Sequence, residues 1–111
     1  MRINEFSNLK DNLNKGFFVD NLYEMSRLCD RLAKDSPDAP VFYVLRSVFL
    51  DFAEDWDDRP LLEDKATQVQ QIVETPIRNV IEGLDKKKSK EVLFDLLTKL
   101  VDARIRALSL P

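Results

Sequence analysis

The chain has 111 residues, with 17 Lys and Arg against 20 Asp and Glu, two glycines, one cysteine and no histidine. That length supports one modest core and so predicts a single domain over residues 1–111, while two glycines are too few for a phosphate-cradling loop or a series of hairpins. The missing histidine excludes Ser-His-Asp and Cys-His catalysis, histidine-ligated zinc and the Glu-x-x-His di-iron bundle. A net charge of −3 argues against a general nucleic-acid or anionic-membrane binder, which draws its affinity from an excess of Lys and Arg.

In residues 1–16, Ile3, Phe6, Leu9 and Leu13 recur at spacings of three and four, but Asn4, Asn8, Asn12 and Asn14 are poor helix formers. A short, marginal helix is expected, ended by Gly16 as a C-cap. Over residues 17–34, Phe18, Leu22, Met25, Cys29 and Leu32, widened by Leu28, trace an amphipathic helix. Asp20, Glu24, Arg27, Asp30, Arg31 and Lys34 form its wet face, and the run 35–40 stops it, with Asp38 a nearby cap and Pro40 suited to the first turn of the next helix.

Residues 40–56, PVFYVLRSVFLDFAEDW, are the most apolar stretch. A β-strand from Val41 to Leu45 is the competing reading, but seventeen residues without a turn signal favour a helix. At about 100° per residue, Ser47, Asp51, Glu54, Asp55 and Asp58 make one narrow wet stripe, so the rest of this central helix needs cover. The apolar run is too short for a membrane span, which takes about 20 residues.

Pro60 is placed to open the next helix, whose stripe runs through Leu62, Ala66, Val69, Val73, Pro76 or Ile77, Val80 and Leu84. Pro76 lies within it and predicts a kink or break near Glu74; the phase of the stripe holds across the proline, which favours a kinked but continuous helix. Gly83-Leu84-Asp85 should end it, and Lys86, Lys87 and Lys88 should form a solvated corner. Ser89 is the expected cap of the last helix, where Leu93, Leu96, Leu97, Leu100, Val101 and Leu108 read as one broad apolar face. Arg104 and Arg106 suit the negative pole of its dipole, and residues 109–111 should fray.

Together these segments predict an all-α fold, a mainly antiparallel bundle of four main helices plus the short N-terminal one. One cysteine cannot make an internal disulfide, and the N-terminus lacks the basic-then-apolar order of a signal peptide, so a cytoplasmic protein is expected. Cys29 on an apolar stripe reads as a small core residue. Lys86, Lys87, Lys88 and Lys90 read as ordinary loop lysines, with no interleaved aromatics to stack bases.

The acidic positions Glu54, Asp55, Asp57, Asp58, Glu63 and Asp64 are the one place where hard-cation chemistry could be assembled. The pairs Glu54-x-x-Asp57 and Glu82-x-x-Asp85 resemble, at these four positions, the paired acidic motifs of all-α nucleotide pyrophosphohydrolases, and that resemblance would imply a Mg²⁺-dependent hydrolase. Read by themselves the residues are solvated helix ends. The leading expectation is therefore a non-enzymatic helical module without cofactor or metal, which works by binding protein, either a second copy of itself or another partner. A homodimer covering the central helix is expected, with Phe17, Phe18, Phe42, Tyr43 and Trp56 as its contact residues, since aromatics dominate binding hot spots.

Overall fold

A computed structural model describes residues 2–58 and 63–110. The fold is all-α, and the described residues form five helices: α1 (Ile3–Lys15), α2 (Val19–Ala33), α3 (Ala39–Asp58), α4 (Glu63–Asp85) and α5 (Lys90–Leu108). Helix α1 packs on α2, α2 on α3, and α4 on α5, as in a helical bundle. No helix among the described residues is long and apolar enough to cross a membrane. The expected helix opening at Pro60, the stripe position Leu62, the end at Pro111 and the side chains of Asp58 and Glu63 lie outside the described residues. Contacts gather into two compact units, Met1–Leu61 and Leu62–Pro111.

In the first unit, α1 buries Phe6, Leu9 and Leu13, while Ile3 stays outside at 79% exposure. The expected short, marginal helix is a 13-residue one despite its four asparagines, and two features fix its end. Gly16 has φ +103°, open only to glycine at low cost, and its N–H donates to the Leu13 carbonyl at 3.3 Å. Asn21, buried at the start of α2, donates from Nδ2 to the carbonyls of Asn12 at 2.7 Å and Gly16 at 2.6 Å. One side chain thereby satisfies a carbonyl of α1's last turn and the turn that follows.

In α2, Leu22, Met25, Leu28, Cys29 and Leu32 are buried as their spacing predicts. The stripe's first residue is different: Phe18 is half exposed and Phe17 is buried. Phe18 is the N-cap, with extended backbone at φ −135°, ψ 158°, so helical periodicity does not yet govern where it points. After α2, Asp35 takes φ +58°, a left-handed conformation that Asp tolerates better than most residues. The Asp38 carbonyl then accepts from the N–H groups of Val41 and Phe42 at 2.9 and 3.2 Å, and α3 begins one residue ahead of Pro40.

The α2–α3 pair is the most extensive helix contact. It leaves Val41, Phe42, Leu45, Val48, Phe49, Phe52, Ala53 and Trp56 all buried. The wet stripe is where the sequence puts it, with Asp51 and Glu54 exposed and Ser47 and Asp55 half-buried. The rings of Phe6 and Phe42 meet edge to face at 6.5 Å, which brings α1 against the start of α3. Arg46 Nε bonds Asp30 Oδ1 at 2.6 Å and ties α3 to α2 at the surface.

In the second unit, α4 runs unbroken through Pro76. Val69, Val73, Ile77, Val80, Ile81 and Leu84 are buried in one phase on both sides of the proline, and Arg78 Nη2 pairs with Glu74 Oε1 across it at 3.0 Å. Gly83 has a different role from the expected terminus. The helix continues to Asp85, and a Cβ at Gly83 would stand 2.9 Å from Leu96 Cδ1 and 3.0 Å from Leu93 Cδ2. The glycine lets α5 cross close over α4.

Helix α4 stops two residues further on, at Lys87. Its φ is +54°, its N–H donates to the Leu84 carbonyl at 3.1 Å, and the N–H of Lys88 reaches back to Gly83 at 3.0 Å. These are the two bonds of a Schellman end, made here by lysine instead of glycine. Ser89 Oγ accepts from the Val92 N–H at 3.3 Å and caps α5 as predicted.

Candidate interaction surface

Glu54 and Asp57 belong to the first unit and Glu82 and Asp85 to the second, and all four are exposed. The Tyr23 hydroxyl donates to Asp57 Oδ2 at 3.4 Å. Lys86 Nζ lies 2.6 Å from Glu82 Oε1, and this bonded ammonium holds the Glu82 carboxyl below its usual range. Among the described residues, no three His, Cys, Asp or Glu side chains gather as a metal site.

Cys29 is fully buried. Burial above all, and the neighbouring Asp30 charge in addition, push its thiol far above the ordinary value of 9.0, while Arg46 opposes the shift in part. A thiol held neutral this way is a poor nucleophile. Lys86, Lys87, Lys88 and Lys90 are exposed. Lys86 and Lys88 border a shallow groove of about 240 Å³ floored by Gly83, Val92 and Leu96.

The five aromatic contact candidates do not form one surface. Phe17, Phe42 and Trp56 are core residues, with Phe42 completely enclosed and Trp56 packed on Phe52 at 5.6 Å between ring centroids. Only Phe18 and Tyr43 are exposed, at 50% and 62%, and Arg46 lies over the Tyr43 ring at 5.9 Å. The cover that the central helix requires comes from within the chain. Every apolar residue that would have to meet a second copy there, Tyr43 apart, is buried or half-buried already.

Exposed apolar side chains stand together instead on one side of α5. Phe94, Val101, Ile105 and Leu108 are exposed by 73%, 41%, 55% and 59%. At about 100° per residue they fall within an arc of about 60°. Leu97, half-buried, borders the same stripe. The residues of α5 that are buried, Leu93, Leu100, Ala103 and Ala107, centre about 120° away around the helix. What reads in the sequence as one broad apolar face is thus two, and α4 contacts the helix through the face where Gly83 meets Leu93 and Leu96.

The signal was present in the sequence. Ile105 adds to Leu97, Val101 and Leu108 at helical spacing, and Phe94 stands four residues ahead of the half-polar position Thr98. Periodicity reports that such a set is apolar, and only packing tells which part a neighbour covers. Comparison of the chain with family models, curated proteins and solved structures found no match.

Proposed function

We propose that this chain is a non-enzymatic helical interaction module that acts by binding protein, in the first instance a second copy of itself. The observation that supports this reading is the solvent-facing stripe of Phe94, Val101, Ile105 and Leu108 on α5. Contiguous apolar surface of this kind on a folded chain marks a place where another surface is bound. Protein suits it better than nucleic acid, given the net charge of −3 and the absence of a basic stripe to track phosphates. A cytoplasmic setting accords with the lone buried thiol.

Sedimentation at micromolar concentration tests the self-association. The expected result is twice the 12.9 kDa chain mass, shifting toward one chain on dilution. A single-chain mass at every accessible concentration overturns the homodimer.

A further inference from the structure

We propose that α5 pairs with α5 of a second copy, antiparallel, about a two-fold axis that passes near Val101. The inference rests on the interaction reading above and supplies the surface, the partner and the orientation.

The first support is area. From the exposed fractions of its four residues, the stripe offers on the order of 400 Å² of apolar surface per copy. Interfaces are about 57% apolar, so an apolar patch of that size belongs with a total of roughly 700 Å² per partner, close to the roughly 800 Å² of a standard interface. A two-fold axis is the arrangement that lets one patch close on itself without leaving a second sticky surface.

Orientation follows from the sizes along the stripe and from the helix dipoles. Val101 lies seven residues from both Phe94 and Leu108. An antiparallel copy centred there sets Phe94 against the Ile105 and Leu108 end of its partner, and Val101 against Val101. A parallel copy sets ring on ring at one end and two branched side chains on the same two at the other.

The helix dipoles point the same way: antiparallel pairing opposes them, where parallel pairing sets like poles beside like. The apolar stripe supplies the affinity.

Cysteine cross-linking in the full chain, on a Cys29→Ala background, decides the matter, because all the positions probed are exposed. Under mild oxidation Val101→Cys should give a disulfide-linked dimer by itself. Phe94→Cys and Leu108→Cys should stay unlinked when alone and link to each other when mixed. Ile105→Glu, with circular dichroism confirming an intact helix content, should weaken the dimer by on the order of tenfold or more.

Self-linking by Phe94→Cys would establish parallel pairing and overturn the proposal. A wild-type dimer whose mass ignores Ile105→Glu and whose cysteine variants fail to link overturns it while leaving self-association standing on another face. A monomer at all concentrations removes the proposal and the homodimer together.

Discussion

Asn21 ties the end of the first unit's N-terminal helix to α2, and its removal gives a sharp test of the fold. Its Nδ2 bonds both the Asn12 and Gly16 carbonyls, at 2.7 and 2.6 Å, from a site with 4% exposure. In Asn21→Ala two hydrogen bonds are lost at a net of about 0.5 to 1.5 kcal/mol each, so the expected cost is about 1 to 3 kcal/mol. Asn21→Asp keeps the shape and reverses the chemistry. A carboxylate oxygen then faces two carbonyl oxygens with no proton to share, and the cost at pH 7 should exceed that of the alanine variant, reaching about 3 to 5 kcal/mol. Protonation relieves this, because the neutral acid donates one bond. The buried carboxyl's folded-state pKa is therefore raised above the unfolded value of about 3.9, and the Asp variant should recover most of the difference below about pH 4 and lose it as pH rises. Trp56, the single tryptophan, lies in the same unit and reports its unfolding by fluorescence in a urea titration at fixed protein concentration. An Asn21→Asp variant no less stable at pH 7 than Asn21→Ala would show that the amide does not hold these carbonyls.

Three further outcomes are expected. Phe49→Ala or Leu45→Ala should cost about 2 to 5 kcal/mol in chemical denaturation, since both are completely buried in α3 and each leaves a cavity; less than about 1 kcal/mol at both would make α3 peripheral. Pro76→Ala should stabilise α4 by about 1 to 3 kcal/mol, because it restores a donor inside a continuous helix where proline costs about 3 kcal/mol; circular dichroism during thermal unfolding would show it, and a lower midpoint would mean that the neighbouring turns have adapted to the proline. Burial raises the Cys29 thiol pKa, so the stability it contributes is complete below the unfolded value and falls as pH rises past about 9, by up to about 1.4 kcal/mol per pH unit. Denaturation from pH 8 to 11 should show a flatter decline for Cys29→Ala than for wild type, and parallel curves would refute the buried-thiol account.

The helices were legible because each has an apolar phase long enough to register. Leu22, Met25, Leu28, Cys29 and Leu32 hold one face for three turns, and the α4 stripe keeps its phase through Pro76 with every member from Val69 onward buried. What could not be read lies at helix edges and between helices. Phe17 and Phe18 exchange places because an N-cap residue is extended, and one residue's rotation there moves a ring from core to solvent. The asparagines of α1 are poor helix formers taken locally, but Asn21, nine residues beyond Asn12, donates to its last turn, and a rule based on local propensity has no place for that bond. Gly83 reads as a terminator when only its own helix is considered; its neighbours Leu93 and Leu96 belong to the next one.

The same separation explains why the aromatic set was a poor guide to the surface. Large aromatic side chains are the commonest anchors of interfaces and also the residues with most to gain from a core. Phe17, Phe42 and Trp56 went to the core because α3 sits where α1 and α2 can both reach it. On α5, Leu93, Leu100, Ala103 and Ala107 fill the buried face, and Phe94, Val101, Ile105 and Leu108 remain on an arc about 120° away. An isolated exposed leucine needs no explanation, but four large apolar side chains in one phase over fifteen residues do. Cover by a partner accounts for both their chemistry and their spacing, and the face to be tested is therefore the one on α5 rather than the more apolar α3.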